Sequence, residues 1–532
     1  MIEKIAQLHP EIALFATTCI VMVLGLARST LWRSMSAWVT GAGLIVALVL
    51  SIYSPQTDGM LPNFLPYSKA LIAAVGLLIL PLMGGTVDRW YERAVGRGVS
   101  FDPLRVTRGE FYAFYLLSLM GVMLCATADD LIWLFLALEL TSLPTYIMVA
   151  MSTGRLRSQE AGVKYFFLGA LSAATFLYGF TMLYGATGTT QLQDIAIHFR
   201  TEGLGLIGTL GLVMALIGVS FKIAAAPMHF YTPDVYQGAA SPVSAFLAFA
   251  PKAAGFVVLI QLLATVGWGW GESGTALPDA LRVTIWVIAA VTMTFGNVLA
   301  LLQSNAKRML AYSSIAHSGY MLVGLLVGPG SGSLPSNGLG AAMFYLACYG
   351  VMNLGAFAVL ACLEKRDANG DVVEIETVDD LRGLYASRPG LAIAMTLCAL
   401  SLLGLPPLLG FWGKLTLFTS GISAGEIGLV IIMGLNSAIA AFYYLRLVRA
   451  VLLDVRDEDQ DRPALTDVLG RRLAAGLSAA GVIVVVFWAG GIQRASNEAT
   501  EINPRIRQFN ESITSDVVEN DSAVAMVDRI DR

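Results

Sequence analysis

Charged residues are scarce in this sequence. Asp, Glu, Lys and Arg make up 14% of its 532 residues, and hydrophobic residues make up 56%, whereas soluble domains are about one quarter charged. Cysteine is also rare: five are present, each alone in an apolar stretch and none in a CxxC spacing. We therefore expect no iron–sulfur cluster and no zinc ion in this chain, and interpret the cysteines as buried structural thiols.

Nucleotide-binding motifs are missing as well. The sequence has no P-loop, so ATP hydrolysis by this chain is not expected. Gly203, Gly205 and Gly208 spell GxGxxG, but this string opens an apolar helix after a polar loop and does not follow a strand, so we reject a dinucleotide site. We expect no cofactor, no metal and no nucleic-acid partner for this chain.

Long apolar runs dominate the sequence. A helix needs about 20 mostly apolar residues to cross a bilayer, and about fourteen suitable runs are present. They predict an all-α polytopic membrane protein with about 14 transmembrane helices. The runs cover residues 11–27, 37–54, 67–87, 111–127, 131–151, 161–186, 204–236, 243–267, 281–302, 309–328, 339–363, 390–420, 427–452 and 473–491.

Basic residues alternate between rich and poor loops. The poor loops hold only Lys69, Arg200 and Arg282, each near a predicted helix end. The positive-inside rule then places the rich loops in the cytoplasm. An even number of helices then puts both termini outside the cytoplasm.

Three sizeable segments lie outside the apolar runs. Residues 88–110 form a basic loop, and residues 364–389 form a charged loop. Residues 492–532 form a polar tail that we expect to be poorly ordered. None is long enough to be a catalytic domain, so the sequence predicts that this protein works within the membrane.

Two of the predicted helices are broken. Pro227 interrupts the seventh, five residues after Lys222, and Pro406 and Pro407 interrupt the twelfth, just before Lys414. Interrupted helices at matching places in two halves point to an ion site in transporters built from inverted repeats. The spacing of the two lysines, 192 residues, fits a repeat of five helices.

Ionisable residues inside apolar runs are the strongest functional signal. Such a charge costs at least ~2.5–3.5 kcal/mol at mid-bilayer and is functional by default. Glu139, Lys222, Lys252 and Lys414 are of this kind, and a structural buried ion pair is the alternative interpretation. Lys164 is a further candidate, although snorkelling to the nearby helix end explains it nearly as well.

Two histidines are candidate proton relays, because histidine titrates near neutral pH. His229 follows the break in the seventh helix, and a satisfied hydrogen-bonding role explains it equally well. His317 shares a helix face with Ser313, Ser314 and Tyr320, a polar stripe in an apolar helix. This stripe favours a relay at His317.

Four stretches of this sequence also resemble a known family. LELTSLPTYIMVA, EAGVKYFFLGALSAATFLYGFTMLYGATG, FKIAAAPMHFYTPDVYQGAASPVSAFLAFAPKAAGF and NAKRMLAYSSIAHSGYMLVG are similar to the antiporter-like membrane subunits of respiratory complex I. The resemblance covers roughly residues 105–450 and is nearest to subunit N of bacterial NADH–quinone oxidoreductase. It implies two inverted five-helix repeats, with helices seven and twelve broken.

The resemblance implies roles for five residues. Glu139 would be the helix-five glutamate that pairs with Lys222, and Lys252 would be the central lysine. His317 would be the relay histidine, and Lys414 the terminal lysine. A lysine at that last position fits subunits N and L, whereas subunit M carries glutamate. Subunit L should add a long lateral helix after the core, whereas here the core is followed by one further predicted helix and a polar tail, so subunit N fits best.

The resemblance also implies a domain organisation. The chain would comprise a three-helix segment with a basic loop (1–110), a first repeat (111–267), a second repeat (281–452), a last helix (473–491) and the tail (492–532).

The implied function is proton translocation coupled to quinone reduction. NADH, FMN, iron–sulfur clusters and quinone would belong to partner subunits, and subunits M and K would be neighbours. The leading alternative is a subunit of a multisubunit cation/proton antiporter, which shares the same core. An independent transporter of organic solutes is a third interpretation.

Overall fold

The computed structural model describes residues 2–57, 59–270, 276–330, 333, 335–366, 372–456 and 463–503. Its α-helices, in chain order, are α1 (Ile2–Gln7), α2 (His9–Gly25), α3 (Thr30–Ile52), α4 (Phe64–Met83), α5 (Arg89–Gly96), α6 (Arg108–Thr127), α7 (Leu131–Met151), α8 (Leu156–Thr187), α9 (Leu192–Thr201), α10 (Gly205–Ser220), α11 (Thr232–Gly238), α12 (Ser241–Val266), α13 (Asp279–Leu301), α14 (Ala306–Val327), α15 (Gly338–Ala361), α16 (Leu384–Ser387), α17 (Pro389–Leu403), α18 (Leu409–Ser423), α19 (Ile427–Leu452), α20 (Leu469–Val484) and α21 (Ala489–Ala499).

A small antiparallel sheet lies among the loops. It contains β1 (Leu363–Arg366), β2 (Val372–Glu374) and β3 (Ala464–Leu465) in the order β2-β1-β3. Glu364 of β1 lies opposite Glu374 of β2 and opposite Ala464 of β3. The charged loop predicted at 364–389 therefore has a defined fold in its described residues.

The helices are those of a polytopic membrane protein. Among the described residues, eleven helices are long and apolar enough to cross a membrane, and α2, α10 and α17 are shorter apolar helices. All of the predicted apolar runs fall on helices. The prediction of an all-α membrane protein is confirmed, whereas the number of spans and the inverted repeats stay predictions.

Three helices form the centre of the bundle. Every residue of α12 except Gln261 is buried, and α14 and α15 are buried along nearly their whole lengths. Helices that are apolar all round are buried in this way. Outer helices such as α3 and α19 instead expose large apolar side chains, including Trp38 and Phe442, as expected for surfaces that face lipid.

Both predicted breaks are present. The chain leaves the helical path between α10 and α11 and again between α17 and α18, because each proline lacks an N–H and clashes one turn back. The carbonyls freed at the first break accept hydrogen bonds from side chains: Phe221 O from Tyr231 at 2.8 Å and Ile223 O from Ser318. Non-helical backbone at membrane depth is tolerated when it is satisfied in this way.

The bundle has two distinct ends. At one end, which we call the basic end, Arg89, Arg157 and Lys307 pair with Glu364, Glu376 and Glu374. At the opposite end, Asn337 donates to the hydroxyl of Thr500 at 2.9 Å, and Asn503 N donates to Met60 O at 2.9 Å.

The start of the predicted polar tail is ordered. Residues 492–499 belong to α21, and Tyr67 on α4 contacts Ser496 through its hydroxyl. The expectation of poor order is therefore wrong for residues 492–503, because Asn497 and Thr500 are buried against neighbouring helices. Residues 504–532 lie outside the described part of the chain.

Candidate functional site

Glu139 and Lys222 form the first contact of the site. Glu139 projects from α7, and Lys222 follows the end of α10 by two residues, inside the first break. Lys222 Nζ lies 3.3 Å from Glu139 Oε1 and also donates to the hydroxyl of Ser142. The pair predicted from sequence is thus in direct contact, and its lysine side chain is only 1% exposed.

Lys252 links α12 to α14 and, through Ser318, to the first break. It lies on α12, is buried, and donates to Ser314 O and, at 2.8 Å, to Ser318 Oγ. Ser318 in turn donates to Ile223 O, the carbonyl that follows Lys222 in the chain. One serine hydroxyl therefore connects the ammonium of Lys252 with the backbone of the first break.

His317 is enclosed by tyrosines on α14, α15 and α19. Its Nδ1 lies 2.6 Å from the hydroxyl of Tyr345, and its Nε2 lies 3.1 Å from that of Tyr444. Tyr349, whose ring centroid is 5.2 Å from that of His317, donates to Ser314 Oγ at 2.8 Å. The ring nitrogens can accept or donate protons through these hydroxyls.

Lys414 lies beyond His317 at the second break. Its Nζ donates to Leu403 O at 2.8 Å, a carbonyl at the end of α17 that the interruption leaves without a helical partner. The ammonium lies 5.0 Å from the centre of the Tyr320 ring, and that ring lies 5.6 Å from the ring of His317. Tyr320 thus separates the two titratable groups.

These contacts form one series across the bundle, which we call the central row: Glu139, Lys222, Lys252, His317 and Lys414. Each member can bind and release a proton, and hydroxyl groups lie between several of them. Proton transfer requires partners within hydrogen-bond reach or one water apart. The arrangement therefore places proton-exchanging groups in series along the middle of the bundle.

Two other predicted residues lie outside the central row. Lys164 is half-exposed and pairs with Glu160 at 2.8 Å and with Asp234 at 3.2 Å, which fits the snorkelling interpretation. His229 packs beside the rings of Phe230 and Phe295. Its Nδ1 is buried and has no hydrogen-bond partner among the described residues.

A second buried ion pair escaped prediction. Lys69 on α4 lies 2.7 Å from Glu11 on α2 and donates to Gln7 O at 2.6 Å, and Thr127 on α6 donates to Glu11 at 3.1 Å. Lys69 was expected near a helix end, but its side chain is fully buried. The sequence did contain a signal for this ion pair, because Glu11 and Lys69 fall inside the predicted apolar runs 11–27 and 67–87.

A third cluster lies at the basic end around Glu374, and we call it the Glu374 cluster. Glu374 accepts hydrogen bonds from Ser241 N (2.8 Å), Ser241 Oγ (2.6 Å) and Lys307 Nζ (3.0 Å), and lies 3.5 Å from Arg471. Burial alone would raise the pKa of Glu374, but the charges of Lys307 and Arg471 and the bonds from Ser241 lower it to about 2. The carboxylate is therefore ionised throughout the physiological range.

An open cavity of about 680 Å³ adjoins this cluster. Its wall includes Arg155, Arg157, Lys307, Glu374 and the turn at Ala239 and Ala240 that precedes α12. Polar side chains thus extend from the basic end towards the start of the helix that carries Lys252.

The described residues show no site for a metal ion. No group of three His, Cys, Asp or Glu side chains within this part of the chain is placed to hold one.

Comparison with known proteins identifies the family. The family described as NADH:quinone oxidoreductase/Mrp antiporter, transmembrane, matches residues 128–440. The chain belongs to this family. NADH-quinone oxidoreductase subunit N of Trichlorobacter lovleyi is 38% identical over 460 residues, which cover 85% of this chain and 87% of the relative. The predicted resemblance to the antiporter-like subunits is confirmed.

Solved structures agree with this NADH:quinone oxidoreductase/Mrp antiporter assignment. A chain of respiratory complex I from Thermus thermophilus with bound aureothin is 31% identical, with a TM-score of 0.71 over 91% of this chain and 98% of that chain. A chain of the Mrp complex from Dietzia sp. has a TM-score of 0.74 at 18% identity, over 94% of this chain and 97% of that chain. The second match shows a shared fold alone.

Proposed function

We propose that this chain is the proton-translocating membrane subunit N of an NADH:quinone oxidoreductase. The observation that carries the proposal is the central row, a series of titratable groups buried in a membrane protein of this family. An intramembrane charge is costly and is kept where it serves transport. Proton transfer along the row would be coupled to quinone reduction in partner subunits.

The coupling would begin at Glu139 and Lys222. An anion within ~4–6 Å favours the charged form of a lysine, and its removal favours the neutral form. When Glu139 moves away or becomes protonated, Lys222 releases its proton towards Ser318 and Lys252.

The second half of the row would carry the proton onward. Lys252 hands it to the hydroxyl network around His317, and His317 passes it past Tyr320 to Lys414. Lys414 can release it because only a backbone carbonyl and an aromatic face hold its ammonium within the described structure. We propose Lys164 and His229 as accessory groups.

The redox chemistry is proposed to belong to partner subunits. NADH, FMN, iron–sulfur clusters and quinone would be held by other subunits of the complex, which supply the oxidation and reduction steps. Subunits M and K are the proposed neighbours in the membrane. Glu139 supports such contacts, because its side chain is 20% exposed on the flank of the bundle and a carboxylate facing lipid is costly.

We also propose the two inverted repeats, 111–267 and 281–452, and an inner-membrane location with both termini in the periplasm. Fusions of a reporter after Arg456 and after Ala499 test the orientation. The first should be active in the cytoplasm and the second in the periplasm. Activity on the opposite sides would contradict the orientation.

A subunit of a multisubunit cation/proton antiporter remains the second candidate, because the family description names both complexes. Purification of the tagged chain from native membranes separates the two. Co-purification of quinone-reducing subunits, with NADH-driven proton uptake, supports the proposal. Co-purification of antiporter subunits, with sodium-driven proton movement and no NADH oxidation, supports the alternative.

A further inference from the structure

Glu374 contacts the starts of two helices that carry members of the central row. It accepts two hydrogen bonds from Ser241, the first residue of α12, and one from Lys307, the second residue of α14. Lys307 also donates to Ala239 O at 3.1 Å, in the turn before α12. A single carboxylate therefore joins the basic ends of both helices.

The two helices reach the central row at the same depth. Lys252 follows Ser241 by eleven residues, and His317 follows Lys307 by ten. At 1.5 Å per residue these are distances of about 16 Å and about 15 Å along two helices that start from the same end. Fixing both starts to one carboxylate thus aligns Lys252 with His317 and its neighbour Ser318, whose hydroxyl accepts from Lys252.

The segment around Glu374, which we call the strap (residues 372–378), makes further contacts with the start of α14. Ala306 N donates to Glu376 O at 2.7 Å, and Val378 N donates to Ser304 O at 3.0 Å. Glu376 also pairs with Arg157 of α8 at 3.1 Å. The strap therefore binds helices from both halves of the chain.

We propose that the strap sets the axial register of α12 against α14, and that Glu374 is a positioning residue for proton transfer between Lys252 and the His317 network. Replacing the carboxylate with an amide leaves Lys307 and Arg471 with one fewer counter-charge and places an N–H donor among groups that themselves donate. The helix starts then separate, and the donor–acceptor distances in the central row lengthen. A misplacement of about 1 Å can slow a reaction by about a hundredfold.

The inference rests on the proposed function, and the two can fail separately. Normal pumping in Glu139→Ala removes the proposed function. Normal pumping in Glu374→Gln, with Glu139→Ala inactive, removes only the role of the strap.

Glu364→Gln provides a matched control. Glu364 lies opposite Glu374 in the sheet and is also buried, but among the described residues its ion pairs are with Arg89 on α5 and Arg471 on α20. The measurement is protons taken up per NADH oxidised, in membrane vesicles holding the intact complex, normalised to complex content. We expect Glu374→Gln to lower this ratio at least about threefold and Glu364→Gln to leave it near the wild-type value.

Further variants distinguish a positioning role of Glu374 from a general loss of stability. Glu374→Asp keeps the charge and should give an intermediate ratio, whereas Glu374→Gln combined with Lys307→Gln lacks the ionic link altogether and should pump no better than Glu374→Gln alone. If Glu374→Gln does not assemble, Lys307→Gln tests the same link from the other side and should also lower the ratio. Wild-type pumping in the assembled variant, or an equal loss in Glu364→Gln, overturns the inference.

Discussion

Glu139 and Lys222 are in contact, yet their side chains differ sharply in exposure: 20% for the glutamate and 1% for the lysine. A molecule that packs against this face of α7 therefore contacts the carboxylate of Glu139 and not the ammonium of Lys222. A change in that packing acts on Glu139 first and reaches Lys222 through the direct contact between the two side chains.

Alanine at either member of this pair should uncouple the complex. We expect Glu139→Ala and Lys222→Ala each to lower NADH-driven proton uptake about tenfold, equal to ~1.4 kcal/mol in the barrier. NADH oxidation with artificial acceptors should be nearly unchanged, because it would occur in other subunits. Leu136→Ala is the control, since Leu136 is exposed on the same helix one turn away. Normal uptake in both variants would remove the pair from the mechanism.

Substitutions of Lys414 should separate a titrating group from a fixed charge. Lys414→Ala and Lys414→Arg should both impair pumping about as severely as Lys222→Ala, because arginine does not release its proton at accessible pH. Lys414→Glu should retain partial activity, because glutamate titrates. Proton uptake in vesicles measures all three, and full activity of the arginine variant would exclude a relay role for Lys414.

The buried pair of Glu11 and Lys69 should stabilise the fold. Lys69→Met leaves the carboxylate buried without its cation, at a cost of about 3 kcal/mol. The measurement is the thermal unfolding midpoint of the purified complex. Lys4→Ala, which removes a half-exposed pair with Asp129, should cost less than about 1 kcal/mol. Equal effects of the two substitutions would contradict this difference.

Lowering the pH should remove the contribution of the Glu374 carboxylate to the stability of the fold. Its folded-state pKa of about 2 lies below the ordinary glutamate value of about 4.3. The stabilisation is therefore complete above about pH 5 and is lost as pH falls towards about 2. The unfolding midpoints of wild type and Glu374→Gln should differ most above pH 5 and converge on acidification. A constant difference from about pH 6.5 to about pH 3.5 would show that this ionisation is not responsible.

The sequence predicted best those features that depend on residues close to one another in the chain. Apolar runs located the helices, prolines located both breaks, and charges within apolar runs located the central row. Each of these signals depends on a few neighbouring residues and on the cost of placing a polar group in lipid.

The contacts of Glu374 at the basic end could not be predicted, because they join residues that are far apart in the sequence. Glu374 lies in a charged loop, and its partners Ser241, Lys307 and Arg471 are 67 to 133 residues away in sequence. No feature of the neighbouring sequence distinguishes Glu374 from a solvent-exposed glutamate. The same holds for α21 and the residue that follows it, whose polar sequence is typical of a disordered tail. The backbone carbonyl of Asn497 and the hydroxyl of Thr500 accept hydrogen bonds from the buried side chain of Asn337, which is distant in sequence.

The sheet at the basic end also constrains the order of biosynthesis. β1 pairs on one side with β2 and on the other with β3, at Ala464 and Leu465. A growing chain can therefore insert both halves of the central row before the second edge of β1 is covered and before Arg471 reaches Glu374. Until the ribosome has delivered these last segments, the nascent subunit carries an open strand edge at the basic end, which must be kept from pairing with other chains.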